Sequence, residues 1–233
     1  MPPGCEPGNL PEDIASPERG DWLRRVRGTT IGHHRPRTPM PRSRAPLILL
    51  GGWLLLAVGA GLSGCAAQLR YPAPQIVLGV LTVGCLAAAT WVPSIRDWVD
   101  RLDIRTITAL HLTRFVGIAF LLLYASGQLP WAFAVPGGWG DIVVAILAAL
   151  LLLVASPASG RGRVAWRVWN LLGMLDILFV VATAARLFKS DPDGMQALLR
   201  FPLSLVPTFL VPLIITSHVI LFRRLRTSSG ATA

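Results

Sequence analysis

Six long apolar runs, separated by short polar or Pro/Gly-rich breaks, set the pattern of this chain. They cover about residues 47–67, 75–92, 106–127, 141–156, 165–188 and 202–222. At 1.5 Å of rise per residue, five are long enough to cross a bilayer as helices, and the fourth is close to the lower limit. The pattern predicts an all-α membrane protein, a six-transmembrane-helix bundle. Between the second and third runs the period changes. Ile95, Trp98, Val99 and Leu102 follow i, i+3, i+4, i+7, with Arg and Asp on the other face. That predicts an interfacial helix along the membrane surface, with Ser94 and Asp97 as a capping box after Pro93.

Several breaks carry more detail. Gly59, Gly61, Ser63 and Gly64 give the first run a smooth face for a neighbouring helix. Trp131, Phe133 and Trp139 stand where an aromatic belt is expected, and Pro136-Gly137-Gly138 predicts a tight loop before the fourth run. In the sixth run, Pro202, Pro207 and Pro212 recur every five residues. Each removes a helix hydrogen bond, so bends are expected, with freed carbonyls that must face protein or water. Residues 1–46 are rich in Pro, Gly and Arg without apolar periodicity and are expected to form a disordered cytoplasmic tail; residues 227–233 form a flexible C-terminal tail.

Composition agrees with the pattern: 53% of residues are hydrophobic and 15% charged. The formal net charge of +10 suggests nucleic acid until the basic residues are located. Seventeen of the 22 fall in the N-terminal tail, in alternate loops or after the last run. That asymmetry is the positive-inside distribution, so no nucleic-acid partner is expected. It predicts a plasma (inner) membrane protein with both termini cytoplasmic. The twin Arg24-Arg25 lies too far from the first apolar run for an export signal. Starting at Met40, the first run also admits a lipoprotein signal, because Leu62-Ser63-Gly64-Cys65 resembles a lipobox; Cys65 is then a candidate lipidation site. Cys5, Cys65 and Cys85 show no metal-ligand spacing, and no phosphate loop, nucleophile elbow or zinc motif is present.

Chemistry enters with the polar residues inside the runs. His111 and Arg114 lie in the third, Asn170 and Asp176 in the fifth, and His218 in the sixth, while Asp141 sits at the edge of the fourth. With both termini inside, His111, Asn170 and His218 come out roughly 6–8 Å from the inner boundary, and Arg114 and Asp176 roughly 12 and 16 Å deep. Facing lipid, each of these groups is costly, so they are expected to face one another. One reading is structural, an Arg114–Asp176 pair that fixes helix register. The other is a polar cavity for a lipid-like or small amphipathic ligand, with Arg114 as a headgroup contact and Asp176 as a proton-exchanging acid. Two alternatives compete: an enzyme that protonates an isoprenoid-like substrate through Asp176, and a b-type haem held by His111 and His218. Beyond that haem option no cofactor or metal is expected.

Three segments, HLTRFVGIAFLLLYASGQLPWAFAVPGGWGD, WNLLGMLDILFVVATA and LVPTFLVPLIITSHVILFRRL, resemble a family of small bacterial integral membrane proteins of uncharacterised function. The resemblance covers roughly half the chain and leaves out the tail and the first two runs. It implies a compact multi-helix membrane protein and singles out the same polar positions, but no reaction, ligand or cofactor.

Overall fold

In the computed structural model, residues 44–157 and 159–227 are described. Of the tails expected over 1–46 and 227–233, residues 1–43 and 228–233 lie outside them, while Ala45 and Pro46 already belong to the first helix and Thr227 to the last. Six helical segments are long and apolar enough to cross a membrane. They are α1 (Ala45–Leu62), α2 (Ala73–Trp91), a composite third span over Ile104–Ala125, α6 (Trp131–Val154), α7 (Gly160–Ser190) and a sixth over Val206–Arg226. No strand occurs among the described residues, so the all-α bundle is as expected.

Proline sets three helix starts. Pro46, Pro74 and Pro93 each occupy one of the first two helical positions, where a missing N–H costs nothing and a fixed φ is preorganised. For the amphipathic α3 (Pro93–Arg101) this displaces the expected capping box. Val92 is the N-cap and makes no side-chain cap, so Ser94 lies inside the helix. The caps fall elsewhere: Asp103 accepts from the Arg105 N–H at 3.3 Å, and Ser159 from the Gly162 N–H at 3.0 Å.

The third span is not one α-helix. It runs as α4 (Ile104–Ala109), a 3₁₀ stretch over Leu110–Val116, and α5 (Gly117–Ala125). In an α-helix every third residue falls about 60° short of a full turn, so a three-residue pattern drifts around the axis. A 3₁₀ turn holds three residues, so i and i+3 eclipse. Thr108, His111, Arg114, Gly117 and Phe120 are accordingly all buried on one continuous face.

The fourth span corrects the expected loop. α6 begins at Trp131, so Pro136-Gly137-Gly138 lies within a helix and Asp141 well inside it. These glycines serve close packing instead of turning. A Cβ on Gly138 would stand 2.8 Å from the Gly117 carbonyl, so only glycine lets α5 and α6 cross there. Trp131 and Trp139 are exposed as belt residues would be, but Phe133 is core.

In the sixth span a π-helical stretch, Val206–Leu210, precedes α8 (Val211–Thr227). The α-helical donor for the Thr208 carbonyl would be the N–H of residue 212, which is proline. Trp53 of α1 takes that role, donating its indole N–H at 3.1 Å and stacking edge-on against Phe209. Gly61 of α1 lies against Ser204 and Phe201.

α6 packs against the third span and α7, and α8 packs against α7 and α2. Two larger apolar clusters lie in the interior, one around Phe120, Phe133, Val180 and Leu199 and the other around Ile107, Val144, Trp166 and Leu221, and a third, smaller one joins Ile177, Val211 and Ile214. Arginines close several helix ends. Arg105 donates to the carbonyls of Leu152 and Ala155 at the end of α6, and Arg167 to that of Leu225 near the end of α8. Arg224 donates to Leu102 after α3. Guanidinium groups here satisfy carbonyls that lack intrahelical donors and complement the negative helix ends.

Candidate functional site

Between the two larger apolar clusters the 3₁₀ face of the third span meets α6, α7 and α8, and every polar candidate from the runs is there. Arg114 is fully buried, and each of its guanidinium nitrogens has a partner. Nε donates to Asp141 at 2.6 Å, Nη1 to the Gly173 carbonyl at 3.0 Å, and Nη2 to Asp176. A guanidinium cannot shed its charge, so these acceptors replace the water it has lost. Asp141 is therefore a full member of the cluster, with an exposure of 4%, and not the edge residue the apolar run implies. Asp176 packs over Gly140, where any Cβ would collide with its carboxylate.

One turn toward the other apolar cluster lies a second network. Asn170 donates its amide to the backbone carbonyl of His218 at 3.1 Å, which leaves its Oδ1 to accept from His218 Nδ1 at 2.8 Å. His218 thus carries its proton on Nδ1, and its Nε2 is a bare acceptor. Ser217 spends its one hydroxyl proton on the Ile214 carbonyl at 2.7 Å, so at 3.0 Å it accepts from His111 Nε2. His111 Nδ1 is then also bare. Neither nitrogen has a hydrogen-bond partner among the described residues. The two imidazoles touch, with centroids 4.3 Å apart, and Trp169 meets His111 edge-on at 4.9 Å while its indole N–H holds the Val144 carbonyl.

This geometry does not fit the haem option. Two axial histidines must have a porphyrin plane between them, and rings in mutual contact leave it no room. Among the described residues no group of three or more His, Cys, Asp or Glu is placed to hold a metal.

Open space lies beside the cluster. A cavity of about 640 Å³ is bounded by α1, α2, α3, the start of the third span and α8. Its walls are apolar apart from a few groups, chiefly Thr106, Thr216 and Ser217. Ser217 therefore stands between this cavity and His111. A smaller cavity, of about 290 Å³, lies between α2, α7 and the sixth span. Neither is lined by Arg114, Asp141 or Asp176.

A family model, a domain of unknown function (DUF8737), matches residues 71–226. The chain belongs to that family. The DUF8737 match takes in α2 and α3 as well as the helices from His111 onward, and so starts well before the resemblance drawn from the sequence. It includes every residue of the buried cluster and leaves α1 and Cys65 outside. No curated protein and no solved structure matches the chain.

Sequence reasoning did not single out Ser217, Thr216 or Gly173. The signal for the first two was present in ITSHVI, three polar residues in succession inside an apolar run. Cys65 is exposed just after α1, following Gly64 at φ 76°.

Proposed function

We propose that the chain is a bacterial plasma-membrane protein, with both termini cytoplasmic, that binds a lipid-like or small amphipathic ligand in the larger cavity. The observation that carries this is an orphaned polar group on an apolar wall. Thr216 lines the cavity, is only 6% exposed, and its Oγ1 has no hydrogen-bond partner among the described residues. A buried hydroxyl without a partner is costly, and a helical threonine can exchange its Oγ1 and methyl between two rotamers, which turns the hydroxyl toward an occupant. The volume falls within the range of small-molecule sites. The amphipathic α3 contributes Ile95 and Trp98 to the wall, so its apolar face covers the cavity at the membrane surface.

The six polar candidates take a supporting part in this reading. Arg114, Asp141 and Asp176 lock the third span to α6 and α7, while His111, Asn170 and His218 set the rotation of α8. That rotation presents Thr216 and Ser217 to the cavity. Asp176 borders no cavity wall named above, and nothing in its surroundings favours the alkene-protonating enzyme.

Gly84 tests the proposal. It lines the cavity, and a Cβ added there would meet no atom within 4 Å, so Gly84→Phe fills space without a clash at its root. Mass spectrometry of gently purified parent protein should show a co-purifying lipid-like molecule, depleted in Gly84→Phe of equal melting temperature. Equal recovery from both would refute the site.

A further inference from the structure

We infer that the occupant of the larger cavity is an uncharged membrane alcohol: an apolar tail ending in a hydroxyl. This rests on the reading of the cavity as a ligand site and names the chemistry it selects.

Charge decides the first half. Among the described residues, no Arg, Lys, Asp, Glu or His lines the cavity. A phosphate or carboxylate head drawn in among Leu, Val and Trp side chains has no counter-ion, and burying an unpaired charge costs far more than any hydrogen bond returns. Arg114, the cation of the buried cluster, is sealed off. It is fully buried, and its three nitrogens are committed to Asp141, Gly173 and Asp176. An anionic lipid therefore gains nothing here.

Hydrogen-bond polarity decides the second half. Thr216 Oγ1 has a proton to give and no acceptor among the described residues. Ser217 Oγ is in the opposite condition. Its proton goes to Ile214 and one lone pair accepts from His111, so it has only a lone pair left to offer. Both residues are adjacent on α8 and line the same cavity, and once the Thr216 rotamer turns its hydroxyl inward the pair offers an occupant one donor and one acceptor. An alcohol answers both, accepting from Thr216 and donating to Ser217. An ether or ester answers only Thr216, and a hydrocarbon neither.

The test uses the full chain in phosphatidylcholine nanodiscs, with tritiated farnesol as probe. The competitors are farnesyl methyl ether and farnesyl phosphate, which share its tail, and farnesane, the saturated hydrocarbon of the same carbon skeleton without the hydroxyl. Farnesol should compete best, the methyl ether more weakly, and farnesyl phosphate not measurably. Thr216→Val should weaken farnesol about five- to tenfold, the scale of one net hydrogen bond, and leave farnesane unchanged. Farnesyl phosphate competing as well as farnesol would overturn the inference. So would a Thr216→Val protein that binds farnesol like the parent. Both results leave the cavity itself as a ligand site, because Gly84→Phe still abolishes binding. Failure of all four compounds to bind the parent would overturn the inference and the proposed function together.

Discussion

Arg114 Nε and Asp141 Oδ1 lie 2.6 Å apart in the middle of the bundle, and a second carboxylate, Asp176, takes another nitrogen of the same guanidinium. One cation serves two acids on two different helices. The two acids are not equivalent: the Asp141 side chain is 6% exposed and that of Asp176 17%. Arg114→Leu strands both carboxylates and is expected to cost about 3–5 kcal/mol, the range for breaking a buried pair. Asp176→Asn keeps an acceptor oxygen at the more accessible position and should cost much less. Restoring the yield of Arg114→Leu should require replacing both acids with Leu, because removing Asp176 alone leaves Asp141 unpaired. Melting temperatures in detergent check the order. A double change at Arg114 and Asp176 as stable as the parent would show that Asp141 carries no weight.

The glycines of α6 and α2 give a prediction with opposite signs. Gly138→Ala places a methyl against the Gly117 backbone, which cannot move aside, so α5 and α6 must separate. Gly79→Ala in α2 meets nothing within 4 Å and gains the helix preference of alanine over glycine, about 0.5–1 kcal/mol. Thermal unfolding should show the first protein clearly destabilised and the second unchanged or slightly improved. A neutral Gly138→Ala would mean that the two helices do not cross at this point.

Trp53 and Pro212 make a further pair. Trp53→Phe keeps a ring beside Phe209 but loses the hydrogen bond to the Thr208 carbonyl, at a cost of about 1 kcal/mol. Pro212→Ala supplies a backbone N–H for that carbonyl from within the helix. The loss caused by Trp53→Phe should therefore shrink in the Pro212→Ala background. A double-mutant cycle measures the coupling. Strict additivity would show that the indole and the proline act independently.

The apolar runs were legible because a bilayer imposes one demand on every residue facing it, and the chain meets that demand over five segments with little ambiguity. The meeting of His111, Arg114, Asn170, Asp176 and His218 was legible for the same reason, since lipid leaves polar groups nowhere else to go. The start of α6 was not, because Pro136, Gly137 and Gly138 spell a turn in water and a close helix crossing in a bundle. The role of Asp141 was lost with that boundary. The 3₁₀ stretch was hidden too: Thr108, His111, Arg114, Gly117 and Phe120 recur every third residue, a period that a search tuned to 3.6 passes over. The cavity depends on how several helices fail to meet, and no single segment records that.

Reporter fusions test the topology. Fusions after Ser159 and Arg226 are expected to be active only with a cytoplasmic reporter. Those after Tyr71, Gly127 and Asp191 should be active only with a periplasmic one. A fusion after Gly137 would interrupt α6 and report nothing about a loop. A periplasmic C-terminus would overturn the proposed orientation.

Whether Cys65 is lipidated turns on what α1 does. Processing at a lipobox would remove the chain before Cys65, and with it all of α1. That helix is not peripheral to the sixth span. Trp53 holds the Thr208 carbonyl that Pro212 leaves without a donor, Gly61 lies against Ser204 and Phe201, and Leu49, Leu50 and Trp53 form part of the larger cavity's wall. A cleaved chain would expose the π-helical stretch to lipid with the Thr208 carbonyl deprived of its indole donor, which is costly in a medium that offers no other. The expected result is a mature protein that retains Leu47 to Gly64 with an unmodified Cys65. Intact-mass analysis of protein purified from membranes decides the matter. A mass lacking those residues and raised by a diacylglycerol would show that the cavity has lost one wall in the mature form, and the ligand site would have to be redrawn without α1.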